Sequence, residues 1–343
     1  MMSTSEPVSN LVFSGRAGEY FKIWIVNLFL TIVTLSLYYP WAKVRKHRYF
    51  YGNTYLNDTS FAYLAEPITL LKGWLIALAL LIVYVALSAF APTAAAILML
   101  LIFLATPWLA VKSIGFKARN SAYRNVRFNF EPAYREAAVA LLVMPIFAVI
   151  TLGLAAPYAV YRQWRFIVNN FSYGTSRFSS TAKVSDFYKI FGKAILFIFA
   201  LGVVVAIAAF GLYRAFPEYL TSIALGGAVA AMIGYYIVLF AIGVYIYART
   251  QNLAWSAAVL DTQRFASSLR ARDLIWIWVS NAIAIAASLG LLIPWAQVRF
   301  ARYRVEHMAV IGKDFDKFVA AKESGAKAAG QEIGEMFGLN FGL

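Results

Sequence analysis

The sequence predicts an all-α polytopic membrane protein, and three observations carry that expectation. Hydrophobic residues make up 62% of the chain and charged ones 14%, against roughly 25% charged in an ordinary soluble domain. Seven apolar runs, near residues 20–39, 68–90, 93–111, 137–157, 190–213, 220–247 and 274–293, mostly reach the length of about 20 residues that a spanning helix needs. Finally, one motif closes a run three times: proline, an aromatic, alanine, then two arginines three apart. The copies are Pro40-Trp41-Ala42 with Arg45, Arg48 and Tyr49, Pro157-Tyr158-Ala159 with Arg162, Arg165 and Phe166, and Pro294-Trp295-Ala296 with Arg299, Arg302 and Tyr303. A membrane helix that stops at proline and hands over to an aromatic, arginine-bearing interfacial turn reads this way.

Taken in order, residues 1–12 form a polar N-terminal tail without a basic n-region, so the first apolar run is read as retained rather than as a signal peptide. Membrane repeat 1 covers 13–127 and holds run one followed by a helical hairpin turning at Pro92. Repeat 2 covers 128–264, with run four and a hairpin turning at Pro217, and repeat 3, at 265–312, is cut short after run seven. The remaining 313–343 alternate charged and small residues with Phe315, Phe318 and Met336, the pattern of an amphipathic tail. The duplication extends beyond the motif. At a spacing of 254, Ile23, Trp24, Asn27 and Leu35 recur as Ile277, Trp278, Asn281 and Leu289, and at 117 Thr34, Leu35 and Leu37 recur as Thr151, Leu152 and Leu154. Each repeat opens with a phenylalanine, Phe13, Phe128 or Phe265.

The net charge is +15, and its placement matters more than its size. Nearly all Lys and Arg flank apolar runs, so anionic lipid headgroups are the expected partner and nucleic acid is not. If all seven runs cross, the 31 basic residues divide 12 to 19; if runs one, four and seven dip in and return, they divide 30 to 1. Short loops normally sort positive charge to one side. The sequence therefore favours four spans with three re-entrant segments, while seven spans in an inverted repeat is the competitor.

Candidate sites follow from the same features. The pairs Arg45/Arg48, Arg162/Arg165 and Arg299/Arg302 can fork onto phosphate oxygens of an anionic ligand or lipid, or can serve only as positive anchors. Lys112, Lys117, Arg119, Arg124 and Arg127 form a further basic cluster that reads as a lipid-facing anchor. Asn27 and Asn281, inside apolar runs, serve helix packing or line a polar path. Gly226, Ala230 and Gly234 are spaced for close helix packing. No carboxylate lies in the middle of an apolar run, which argues against proton- or sodium-coupled transport. There is no cysteine, and the two histidines, His47 and His307, make no metal cluster. No catalytic residue, metal ligand set or cofactor is predicted, so an enzyme is not expected.

Phe13-Ser14-Gly15 before Tyr20-Phe21, Tyr39-Pro40-Trp41-Ala42-Lys43-Val44-Arg45 with Arg48-Tyr49, Gly52-Asn53-Thr54, Phe61, and Ala118-Arg119-Asn120 through Arg127-Phe128 carry a resemblance. Over residues 11–312 the chain resembles the YjgN-like family of bacterial inner-membrane proteins. That resemblance implies a multi-pass inner-membrane location and a domain of unknown function, and brings no substrate, cofactor or catalytic residue. The expected role is to bind or pass anionic lipids or small anionic solutes. A non-transporting scaffold or complex subunit is the alternative, and an interfacial lipid-modifying enzyme using Glu66 or Asp186 comes third.

Overall fold

The computed structural model describes residues 7–215 and 220–312; the expected turn at Pro217 and the amphipathic tail from 313 lie outside the described residues. The chain opens with β1 (Val8–Asn10) and β2 (Val12–Phe13), leaves in α1 (Ala17–Val33) and returns in α2 (Tyr39–Gly52). It continues through β3 (Thr54–Leu56), β4 (Thr59–Tyr63), α3 (Pro67–Phe90) and α4 (Pro92–Arg119), then β5 (Ser121–Tyr123) and β6 (Val126–Phe130). Next come α5 (Tyr134–Ala138), a π-helical turn (Val139–Val143), α6 (Met144–Ile150) and α7 (Ala156–Asn170), followed by β7 (Phe171–Tyr173) and β8 (Ser176–Ser180). The last third holds α8 (Val184–Ala215), α9 (Leu220–Ser256), β9 (Ala258–Leu260), β10 (Gln263–Ser267), α10 (Ala271–Ala287), α11 (Ile293–Glu306) and β11 (Met308–Ile311).

The all-α expectation is overturned by the sheet. Its eleven strands are antiparallel and run β1-β11-β10-β9-β8-β7-β6-β5-β4-β3-β2. Only Leu11 separates β1 from β2, and its N–H still donates to the Met308 carbonyl at 3.1 Å. The two ends of the row therefore meet, and the sheet nearly closes into a small barrel. Closure removes the free edges that short strands otherwise expose. The strands escape a helical-period reading because each has five residues or fewer, too short for alternation to stand out among runs of twenty apolar residues.

Four of the connections are two-residue hairpins, with positive φ at both central residues of two, Asn57–Asp58 and Arg124–Asn125, and at the first of the other two, Gly174 and Asp261. Asn, Asp and Gly tolerate that region best, and such turns match the twist of the flanking strands. The fifth position of the ring is filled by β11 with the β1–β2 segment. One backbone bond recurs at all five places, from the residue after the outgoing strand to the residue before the incoming one: Ser14 to Asn53, Leu64 to Asn120, Glu131 to Asn170, Thr181 to Ala257 and Ser268 to His307, at 2.8 to 3.0 Å. The repeating unit is thus a strand pair with the helices that enter and leave it, five times around, rather than a membrane run plus hairpin in two full copies and a part.

Five helical hairpins leave the same rim of the barrel, and they come in two lengths. Among the described residues four helices are long and apolar enough to cross a membrane: Pro67–Phe90, Pro92–Arg119, Val184–Ala215 and Val229–Ser256. The other hairpins are short. The 17 residues of α1 and of α10 reach about 26 Å at 1.5 Å per residue, under the roughly 30 Å of a hydrocarbon core. Each short hairpin turns through the same pattern, a hydroxyl residue, Leu, a small residue and Leu: Thr34-Leu35-Ser36-Leu37, Thr151-Leu152-Gly153-Leu154 and Ser288-Leu289-Gly290-Leu291. The hydroxyl of Thr34, Thr151 or Ser288 accepts the N–H four residues on, at 3.0 Å in each copy. The Leu35, Leu152 and Leu289 side chains stand at the tips, 86%, 94% and 95% exposed.

Candidate functional site at the barrel mouth

Strand register sorts the inward side chains into layers. Phe61 faces Tyr123, Phe128 faces Tyr173, Phe178 faces Leu260 and Phe265 faces Val310. With Leu11 and Leu56 these form one apolar layer across the barrel, and Leu56, Tyr123, Val126, Tyr173, Leu260 and Val310 are its buried core. Burying each such side chain contributes about 1.5–3 kcal/mol. Both tyrosines spend their hydroxyls on the wall: Tyr123 donates to the Leu56 carbonyl at 2.7 Å and Tyr173 to the Tyr123 carbonyl at 2.9 Å. On the helical side of this layer lies a cavity of about 330 Å³, bounded also by Trp164, Ile167 and Val168 of α7 and by Ala254 and Trp255 of α9.

The mouth of the barrel is built from five equivalent helix ends. Counting back four residues from the start of β3, β5, β7, β9 and β11 gives Phe50, Lys117, Ile167, Ala254 and Arg304. Four residues make a helical turn, so these positions sit at one depth around the rim. Ile167 and Ala254 border the apolar cavity. Lys117 and Arg304 are charged, and they lie close enough to act on one another, as do Lys117 and Lys43. The rim therefore has an apolar side, on α7 and α9, and a cationic side, on α4 and α11, with Lys43 of α2 about two turns further from the sheet.

His47 reads the field of that cationic side. Its ring packs on Tyr63, with centroids 4.8 Å apart, and lies edge-on to Tyr51 at 6.2 Å. Burial, and then Lys117, Lys43 and Lys46, lower its pKa from 6.5 to about 4, so it is neutral at physiological pH. Burial also lowers the pKa of Lys46. The cations acting on His47 come from two helices, α2 and α4.

The six arginines singled out by the sequence lie on α2, α7 and α11, with α3–α4 and α8–α9 between them, and five of them make hydrogen bonds within the chain. Arg45 donates to the Tyr38 hydroxyl at 3.2 Å, Arg48 to the Ala65 carbonyl at 3.2 Å and Arg165 to the Tyr161 hydroxyl at 2.7 Å. Arg299 donates to Ser280 at 2.6 Å and to Asn281 Oδ1 at 3.1 Å, and lies over the Trp295 ring at 5.2 Å. Arg302 donates to the Gly15 carbonyl at 2.9 Å, tying α11 to the start of α1. Arg162 is half-buried on α7. Arg299 and Arg302 share a groove between α1, α10 and α11 with Trp276, Trp295, Tyr303, Asp273 and Glu306.

The matched amides have different surroundings. Asn281 is 8% exposed and donates to the Ala296 carbonyl at 3.3 Å as well as accepting from Arg299. Asn27 is 7% exposed and its Oδ1 is buried without a hydrogen-bond partner. The equivalent arginine, Arg45, turns instead to Tyr38. Gly226, Ala230 and Gly234 face outward on α9, and a Cβ at either glycine would meet nothing within 4 Å.

Sequence reasoning missed the rim because Lys43, Lys117 and Arg304 are far apart in the chain and only the closed sheet brings them together. One signal was present: in every unit the residue before the incoming strand, Asn53, Asn120, Asn170 or His307, bonds the carbonyl four back at 2.8 to 2.9 Å, except at Ala257.

No solved structure matches the chain. It is 27% identical over 354 residues, 88% of each chain, to the inner membrane protein YjgN of Salmonella typhimurium. It is 31% identical over 151 residues to the inner membrane protein YjgN of Escherichia coli K12, covering 43% of this chain and 37% of that one. These relatives and the four apolar helices make it an inner-membrane protein. The family described as bacterial protein of unknown function, DUF898, matches residues 8–336, and the chain belongs to it.

Proposed function

We propose that the protein binds an anionic lipid at the barrel mouth and carries out no chemistry on it. The observation that carries this reading is the cationic side of the rim, where Lys43, Lys46, Lys117 and Arg304 from three helices act on one another or on His47. Such convergence is costly to fold, since like charges repel and part of the cluster is withdrawn from water. A phosphate or carboxylate at the centre offsets both costs. The outer arginines are struts first, and the N–H groups they have left hold headgroups of the surrounding bilayer, best in the Trp276–Trp295 groove where Arg299 and Arg302 sit together. A role as a scaffold is not needed to account for the rim.

The test is native mass spectrometry of protein extracted gently from membranes. Lys117→Gln with Arg304→Gln should lose the anionic lipid that survives extraction from the wild type. The same six outer arginines changed to lysine should retain it, because lysine keeps the charge and loses only the fork. Equal lipid retention by the rim variant and the wild type would overturn the reading.

A further inference from the structure

We infer that the barrel interior is a chamber for one hydrocarbon chain, the tail of the amphiphile whose charge is held at the rim. The inference deepens the proposed function and rests on it for the head group, but it stands on different residues. The cavity of about 330 Å³ lies at the lower end of the 300–1,000 Å³ typical of ligand sites. It exceeds the engineered cavity of about 150 Å³ that stays dry and takes up benzene. Its wall is the aromatic layer of Phe61, Phe128, Phe178 and Phe265 below and Trp164 with Trp255 above. The hydroxyls of Tyr123 and Tyr173 are already bonded to carbonyls of the wall. A ligand with polar groups inside would leave them without partners, at a cost of about 1–3 kcal/mol each, so what fits is unsubstituted hydrocarbon.

The occupant's other end is fixed by the rim. Ile167 and Ala254 border the cavity at the depth where Lys117 and Arg304 stand on the far side of the same ring. Neither Lys117 nor Arg304 lines the cavity itself, so the chain lies among the phenylalanines and the head group reaches across the rim to the cationic side. Fatty acids and acidic phospholipids share this chemistry. Both offer a saturated or singly unsaturated chain next to an anionic group, and the helices that frame the mouth stand in the bilayer that supplies them.

Bromine quenches tryptophan fluorescence at short range, and two of the nine tryptophans, Trp164 and Trp255, line the cavity. The protein in nanodiscs is given, in separate arms, a fatty acid brominated near its chain terminus and a phosphatidylglycerol carrying the same brominated chain. The signal read is the difference between wild type and the double variant Trp164→Phe, Trp255→Phe. Quenching of that component is expected, and the arm that gives it identifies the source of the chain. Ala258, 3% exposed and on the inward face of β9, is changed to phenylalanine to fill the cavity, with Ala254→Leu as a second filling variant should the first not fold. Either should lose the quenching and melt no lower than wild type. Quenching that persists in a folded filling variant, or that is absent from both arms, overturns the chamber. Lys117→Gln with Arg304→Gln separates the two proposals: loss of lipid retention with quenching by the brominated fatty acid intact supports the rim and shows that the chamber fills without it, whereas wild-type lipid retention overturns the rim and leaves the chamber to be decided by the filling variants.

Discussion

The short helical hairpins and the long ones leave the same barrel through the same construction, yet they meet the bilayer in different ways. In the long pair, α3 has 24 residues and α8 has 32, enough to cross and to turn on the far side. In the short ones the chain reverses within about 26 Å, less than the roughly 30 Å of a hydrocarbon core, and a tip inside the bilayer would have to satisfy its own backbone. The repeated Thr or Ser does this, accepting the N–H four residues on, while a leucine occupies the tip. The long hairpin of α3 and α4 carries no such device at Phe90-Ala91-Pro92. How far each hairpin reaches is set by helix length and turn chemistry, with the barrel unit indifferent to either.

Labelling separates the two kinds of hairpin most directly. The chain has no cysteine, so single cysteines are clean probes. Cysteines at Asp58 and Thr175, on the exposed barrel turns, should react from one face of the membrane and one at Phe90 from the other. Reaction of Asp58→Cys and Thr175→Cys from opposite faces would mean that a short hairpin crosses and that the sheet does not close.

A charge at a tip gives the next largest effect. Leu152→Asp or Leu289→Asp should destabilise the protein in a bilayer by about 2.5–3.5 kcal/mol if the tip lies in hydrocarbon. Phe90→Asp, at the 91% exposed tip of a long hairpin, should stay within about 0.5 kcal/mol, as surface changes do. Melting of the three variants in nanodiscs decides the matter, and equal losses would remove the distinction between the hairpins. The turn itself is tested by Thr151→Ala, which strips a cap from Ala155 N–H and should cost about 1 kcal/mol.

His47 supplies a pH test of the rim. Its folded pKa of about 4 lies below the 6.5 of the unfolded chain, so the unfolded state binds more protons between those values. Its contribution to stability is complete above pH 6.5 and is lost as pH falls toward 4. His47→Phe should therefore flatten the fall in melting temperature over this window. An unchanged profile would mean that the cationic wall does not act on this ring.

The smallest effect separates the two asparagines. Asn27→Leu removes a buried acceptor that has no partner and should be neutral or slightly stabilising. Asn281→Leu leaves Arg299 short of one bond and should cost about 1 kcal/mol. Because the Asn281 side chain bonds to α11 and the Asn27 side-chain oxygen has no partner, the double variant should be additive within about 0.3–0.5 kcal/mol. A larger coupling, measured by a double-mutant cycle, would show that the two amides sense each other after all.

The sequence by itself determined the solvent and the elements that face it. Twenty-residue apolar runs, proline stops and arginine-aromatic flanks are local, and a bilayer reads them locally through length and hydropathy. Even the three short turns were legible as the recurring Thr34-Leu35, Thr151-Leu152 and Ser288-Leu289. The barrel was not, although its traces were present: Leu56 and Phe61, Tyr123 and Phe128, Tyr173 and Phe178, Leu260 and Phe265 are each five residues apart around a two-residue turn. Phe128 and Phe265 stood out only as openers of membrane repeats. Each such strand pair is too short to be stable alone, and it gains a partner only when a helical hairpin of very different length in each unit returns the chain to the same rim. Lys43, Lys117 and Arg304 became neighbours, and the phenylalanines became a chamber wall, through pairings between residues as distant as Ser9 and Val310, which no local pattern specifies and only closure of the sheet can satisfy.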